Sequence, residues 1–208
     1  ENVFPIPRGV SYNAYVLLTK ERGKITAFAR GARRLGSTLL AAASPFSFGT
    51  FTLYEGRTAY TLASADISNY FEKVKENLEG ACYGFYFMEF ADYYGQENLD
   101  ASMMLNLLYV SLLALERDQL PDQLVRYVFE IKMMVINGEF PQDVIYDETL
   151  MEATRYTIQY IVQAPLQKLY TFVVKEDVLA QLGRMQDGIR GKLVDHRFRS
   201  LDILEKIC

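Results

Sequence analysis

Leu18-Thr19-Lys20-Glu21-Arg22-Gly23-Lys24-Ile25-Thr26-Ala27-Phe28-Ala29-Arg30-Gly31-Ala32-Arg33-Arg34 decides the fold, because it reads as strand, turn, strand and basic loop in one run. The residues leading into it, 12–19, are rich in Tyr, Val and Leu, which suit a pleated, half-buried surface. Lys20-Glu21-Arg22-Gly23 supplies the turn, with Gly23 where a positive φ is expected. Strict alternation then sends Ile25, Ala27 and Ala29 to one face and Lys24, Thr26, Phe28 and Arg30 to the other. A bulge between Gly23 and Phe28 would reverse that facing and make Phe28 core, so both readings of Phe28 stand at this point. Residues 31–37 follow as a loop with Arg33 and Arg34 adjacent.

Outward from this stretch, strands are expected at 46–54 and 58–65, joined around Glu55-Gly56-Arg57. Several short strands with glycine turns before any helix point to a small barrel, not to an alternating α/β sheet. Near Asn69 the periodicity changes, and Tyr70, Phe71, Val74 and Leu78 follow a spacing of three and four. Residues 83–94 are aromatic nearly all round, as in a helix buried on several sides. Further helices are expected over 103–115, from Pro121 to Asn137-Gly138, and over 149–162, 176–185 and 189–204. A less regular stretch covers 139–147 and a short segment 165–172.

Half of the 208 residues are hydrophobic, enough for a core and too many for a disordered chain. No run of about 18 uncharged apolar residues is present, so no membrane-spanning helix is expected. Glu1-Asn2-Val3-Phe4-Pro5 has neither the basic patch nor the apolar stretch of a secretory signal. Cys82 and Cys208 are too few for a disulfide framework or a four-cysteine metal site, and fit thiols of a reducing cytoplasm. The overall charge of −4 conceals an asymmetry. Residues 1–70 carry Arg8, Lys20, Arg22, Lys24, Arg30, Arg33, Arg34 and Arg57 against Glu1, Glu21, Glu55 and Asp66, a net +4, and the remainder carries −8. A basic first third on an acidic body implies a local anionic partner.

The quoted run resembles the RecO family of bacterial recombination mediators. Further likenesses follow in order. Pro45-Phe46, Phe51-Thr52-Leu53-Tyr54-Glu55-Gly56-Arg57 and Tyr60-Thr61-Leu62 resemble its later barrel strands. Tyr156-Thr157-Ile158-Gln159-Tyr160-Ile161, Pro165-Leu166-Gln167-Lys168-Leu169-Tyr170 and Phe198-Arg199-Ser200-Leu201 resemble its C-terminal helices. Two departures stand out. Residues 1–10 match the family's opening strand and Gly-acidic segment poorly. The zinc-binding four-cysteine insertion of many members has no counterpart between Gly138 and Thr149, where no cysteine or histidine occurs. Zinc binding is therefore not carried over, and no cofactor is expected.

The resemblance implies an α+β chain: a five-stranded barrel of the oligonucleotide-binding (OB) type over 1–69, then an all-α domain over 70–208. It also implies binding of single- and double-stranded DNA, promotion of strand annealing, and work with RecR and the C-terminal tail of single-strand DNA-binding protein to load recombinase, in the cytoplasm at the nucleoid. The alternative is a protein-interaction adaptor whose barrel does not itself touch DNA.

Affinity for a DNA backbone comes mainly from Lys and Arg that release condensed counterions, and the planar guanidinium holds phosphate oxygens in pairs. Lys24, Arg30, Arg33 and Arg34 are the candidates, with Lys20 and Arg22 on the adjoining turn, where they are otherwise plain solvated residues. Phe28 between them is a candidate base platform. Arg57, in a hairpin turn, reads as plain surface. His196 is the only histidine, expected on the last helix, and by itself cannot assemble a zinc site of the usual kind. Arg197 and Arg199 beside it would point in different directions on that helix, one toward DNA and one toward a carboxylate. The aromatic and methionine stripes at 83–94 and Met133-Met134 read as core, with a groove for a partner peptide as their alternative. Gly31–Thr38 lacks the Gly-Lys-Ser/Thr ending of a phosphate loop, and no nucleophile elbow, metal cluster or Cys/His pair is in view, so no enzyme is expected.

Overall fold

The computed structural model describes residues 2–6, 14–29, 39 and 44–207. Five strands come first: β1 (Asn2–Ile6), β2 (Ala14–Thr19), β3 (Gly23–Phe28), β4 (Phe48–Glu55) and β5 (Tyr60–Asn69). β2 pairs antiparallel with β1 and β3, β5 pairs antiparallel with β4, and β3 meets β5 in parallel at Ala27↔Tyr60 and Phe28↔Thr61. β1 also reaches β4 through Asn2↔Thr50 and Val3↔Gly49, so the neighbour order β1-β2-β3-β5-β4 closes on itself. A small core fills this sheet, made of Leu17, Ile25, Ala27, Ala29, Phe51 and Leu62.

Seven α-helices follow among the described residues: α1 (Glu72–Glu76), α2 (Leu78–Tyr94), α3 (Ser102–Leu115), α4 (Asp122–Ile136), α5 (Glu152–Gln163), α6 (Glu176–Leu193) and α7 (Arg199–Ile207). Strands first and helices after is the α+β order expected. Two boundaries differ from the periodicity. The spacing from Tyr70 to Leu78 spans a break at Asn77, whose side-chain oxygen accepts from Gly80 N at 2.5 Å and caps α2. A three-and-four pattern does not register such a cap. Conversely, 176–193 is one helix where two were expected, because Gly188 weakens a helix without ending it. The chain leaves helix only at 194–198, so His196 stands in the connection before α7 and not on the helix.

The helical body is built on α2. Tyr83, Tyr86, Phe87, Met88 and Phe90 are all at most 1% exposed, which assigns the aromatic stripe to core; the methionines Met133 and Met134 are equally buried. Phe87 stacks on Phe129 of α4 at 4.3 Å, and Phe198 meets Tyr86 edge-on at 5.3 Å. Each such ring contributes about 1.5–3 kcal/mol through burial alone. One charged knot crosses this core. Glu130 is fully buried and accepts from Tyr86 Oη at 2.7 Å, Arg126 Nε at 2.8 Å and Gln186 Nε2 at 3.0 Å, tying α2, α4 and α6 together. Burial and the Glu130 charge push the Tyr86 hydroxyl well above its usual range, so it stays a donor.

Val16 and Leu18 of β2, with Phe46, belong to this same large core, so the strands and helices share apolar contacts. The β2–β3 turn is also clasped from outside. Lys24 N donates to Gln96 O, Asn98 N to Arg22 O and Ala101 N to Lys20 O, each at 2.9 Å. Gly23 takes φ +64°, as expected of the turn, and a Cβ there would collide with the carbonyls of Gln96 and Leu99. Buried Thr19 completes the turn, its Oγ1 donating to Gly23 O at 3.0 Å and accepting from Arg22 N at 3.2 Å.

Candidate nucleic-acid interface

β3 has no register irregularity against β2, whose pairing runs continuously from Ala14↔Phe28 to Thr19↔Gly23. Ile25, Ala27 and Ala29 are accordingly buried, while Lys24 and Thr26 are half-buried and Phe28 is 39% exposed. The core alternative for Phe28 is thereby overturned: without a bulge, alternation leaves its ring on the outer wall.

Lys24 shares that wall, but its charge is committed. Its Nζ donates to Asp92 O at 2.8 Å and lies 3.3 Å from Asp92 Oδ1, with both side chains 20% exposed. It thus pins β3 to the C-terminal part of α2. Lys20 and Arg22 are exposed on the clasped turn, oriented by the backbone bonds to 98 and 101. Arg30, Arg33 and Arg34 lie outside the described residues, as does Arg8. The structure therefore puts Lys24 and Phe28 on one face of β3 and Lys20 and Arg22 on the turn before it, and Arg30, Arg33 and Arg34 are known from sequence alone.

A cleft of about 200 Å³ is lined by Lys24, Thr26, Arg57 and Tyr60 together with Glu55, Glu97 and Asn98. Arg57 is exposed, in keeping with its reading as surface, and it also lines this cleft. One exposed ring was expected only as part of a barrel strand and not as a site residue. Tyr54 is 67% exposed on β4, and its cross-strand partner Thr61 is the residue that Phe28 meets on β5. The cue was present in the alternation of Phe51, Thr52, Leu53 and Tyr54, but the facing is fixed by a register shift between Thr52 and Leu53 that no pattern displays.

Elsewhere, His196 packs 4.8 Å from Phe198 and 5.7 Å from Tyr93, a ring contact with no metal-like geometry. Arg197 Nε donates to Asp202 at 2.7 Å, so of the two C-terminal arginines it is the one that meets a carboxylate. Among the described residues no group of three His, Cys, Asp or Glu is placed to hold a metal ion, and no helix is long and apolar enough to cross a membrane. Cys82 is buried, and that burial raises its thiol pKa, with the Glu79 charge adding to the effect.

The family model for the N-terminal part of recombination protein O matches residues 16–71, and that for its C-terminal part matches residues 75–142. The DNA repair protein RecO of Acetivibrio thermocellus is 27% identical over 92% of this chain and 88% of its own length. The protein of that name from Alkaliphilus metalliredigens is 32% identical over 64% of this chain and 54% of its own length. That from Symbiobacterium thermophilum reaches 37% over 61% of this chain and 50% of its own. The N-terminal match begins beyond residues 1–10, in line with their poor fit to the family's opening. Both halves match in order, strands then helices, and the chain belongs to the RecO family.

Proposed function

We propose that this chain is a DNA-binding recombination mediator without turnover of its own. In this reading it binds single-stranded and double-stranded DNA, promotes annealing, and helps load recombinase in gap repair, with RecR and the tail of single-strand DNA-binding protein as partners. The observation that carries it is the ordered match of both RecO halves, whose curated relatives are named DNA repair proteins. Residues 1–69 act as an OB-type barrel and residues 70–208 as its helical support.

On this reading Arg30, Arg33 and Arg34 hold phosphates, Lys20 and Arg22 add to the track from the clasped turn, and Phe28 offers a ring to a base. Lys24 serves as the anchor of that wall, since its ammonium already faces a carboxylate. The adaptor reading draws on one feature. The described cations of the first 70 residues, Lys20, Arg22, Lys24 and Arg57, are nearly balanced by Glu21, Glu55 and Asp66, so the basic surplus rests on Arg8, Arg30, Arg33 and Arg34. Fluorescence anisotropy of a labelled oligonucleotide across a salt series separates the two. The mediator retains the oligonucleotide with a steep salt dependence and loses it when Arg30, Arg33 and Arg34 become Ala. An adaptor binds no oligonucleotide at any salt.

A further inference from the structure

We propose that Tyr54, Thr61 and Phe28 form a stacking row for unpaired bases of single-stranded DNA, with Tyr54 a second platform beside Phe28. This rests on the DNA-binding reading above and adds to it a contact residue and a source of preference for single strands.

The row is set by register. Ala27↔Tyr60 and Leu53↔Leu62 are the inward pairs, and Tyr60 and Leu53 both pack on the small barrel core with Leu62. Their neighbours Phe28, Thr61 and Tyr54 must then face outward, side by side across β3, β5 and β4. The register shift beyond Thr52 brings Tyr54 opposite Thr61. The neighbours of Phe28 are short: Ala14 on β2 and Thr61 on β5. Among the described residues no other aromatic ring and no cation engages either Phe28 or Tyr54. Two rings of this size left open to water on one wall invite a flat, apolar-faced occupant.

The arginines nearest in the chain favour a polyanion carrying such faces, against the single opposing charge of Glu55 beside Tyr54. Arg57 stands in the turn that continues from Tyr54, beside the cleft that Lys24 and Thr26 line. Arg30, Arg33 and Arg34 follow Phe28 directly in the chain. Spacing selects the unpaired form. Phe28 and Tyr54 are two strands apart, roughly 10 Å between backbones. Stacked neighbours along one strand of a duplex step by only about 3.4 Å. Bases seated on both rings must belong to a strand that is drawn out and unstacked.

The chain contains no tryptophan, so Tyr54→Trp creates a single indole reporter at an exposed position. The probe is an oligothymidylate of about twelve nucleotides, within the site sizes of single-strand binders. Its addition should quench the indole in step with the anisotropy of a labelled copy, whereas an abasic strand or a duplex of equal length should not. Tyr54→Ala and Phe28→Ala should each weaken the oligothymidylate by about 5- to 100-fold with the salt dependence unchanged, and Tyr54→Phe should restore it. An oligothymidylate that binds by anisotropy without quenching, and binds Tyr54→Ala within about twofold of wild type, overturns the row while leaving DNA binding intact. Failure of the wild-type chain to retain any oligonucleotide at low salt removes the DNA-binding reading, and the row with it.

Discussion

Lys24→Met separates the two roles a lysine on this wall can have. The side chain keeps its length and apolar stem but loses the ammonium that sits 2.8 Å from Asp92 O and 3.3 Å from Asp92 Oδ1. A hydrogen bond to a charged group contributes about 1.5–3 kcal/mol, and the Asp92 carboxylate, only 20% exposed, loses the ammonium as one of its partners. The low end of that range is the better guide at a site that water still reaches. For a chain of this length each kcal/mol moves Tm by roughly 2–4 °C, so a loss of about 1.5–2 kcal/mol predicts a fall of roughly 3–8 °C. Differential scanning calorimetry reads the shift, and the cycle with Asp92→Asn should show the two losses to be strongly non-additive. The second arm is the slope of log affinity against log salt for a single strand. A phosphate contact contributes about 0.7 to that slope, and an anchor contributes nothing. A slope reduced by about 0.7 with Tm unchanged would refute the anchor and return Lys24 to the phosphate track.

Glu130→Ala should cost about 3 kcal/mol in a urea melt, since it takes a buried acceptor from Tyr86 Oη and Gln186 Nε2 and leaves Arg126, 6% exposed, with the half-exposed Asp187 carboxylate as its remaining ion-pair partner. Gly23→Ala should destabilise by about 1–3 kcal/mol for the positive φ alone, with the Gln96 carbonyl clash in addition, and its amides from 95 to 101 should lose hydrogen-exchange protection. Burial, aided by the Glu79 charge, pushes the Asp122 carboxyl up to about 6, so the folded chain holds a proton there that the unfolded chain releases near its ordinary value of 3.8. Its contribution to stability is therefore greatest below about pH 4 and falls as the pH rises toward 6; Asp122→Asn should remove that fall in melts followed across this window.

What the sequence made legible was whatever repeats with a period. The two-residue alternation in 24–29 set Ile25, Ala27 and Ala29 on the face opposite Phe28, with a bulge left as the alternative, and the aromatic density of 83–94 announced a helix buried on several sides. What it hid depends on single residues or distant partners. The break at Asn77 hangs on one side-chain oxygen, and the exposure of Tyr54 hangs on one shifted pair between β4 and β5. Lys24 was placed on its correct face, yet Asp92 lies 68 positions along the chain, and no local pattern could tell that the ammonium meets it. The charged knot at Glu130 was invisible for the same reason: its partners come from three helices.

These placements divide the labour of binding in a way that salt can resolve. The turn carrying Lys20 and Arg22 is held by three backbone bonds and the Lys24–Asp92 pair, so the helical body fixes the end of β3 from which Phe28 projects four residues on. A rigid wall favours contacts that need fixed geometry, which stacking does and diffuse phosphate attraction does not. If Phe28 and Tyr54 supply stacking while Arg30, Arg33 and Arg34 supply charge, substitutions in the two groups should act on different terms of the same binding curve. Loss of a ring lowers affinity by the same factor at every salt concentration, and loss of an arginine flattens the salt dependence by about 0.7 per contact. Loosening the anchor should do neither at low temperature, but should erode the ring-dependent term first as the wall softens on heating. A Lys24→Met chain whose preference for single strands fades well before its global melt would show that the helical body holds the site in shape.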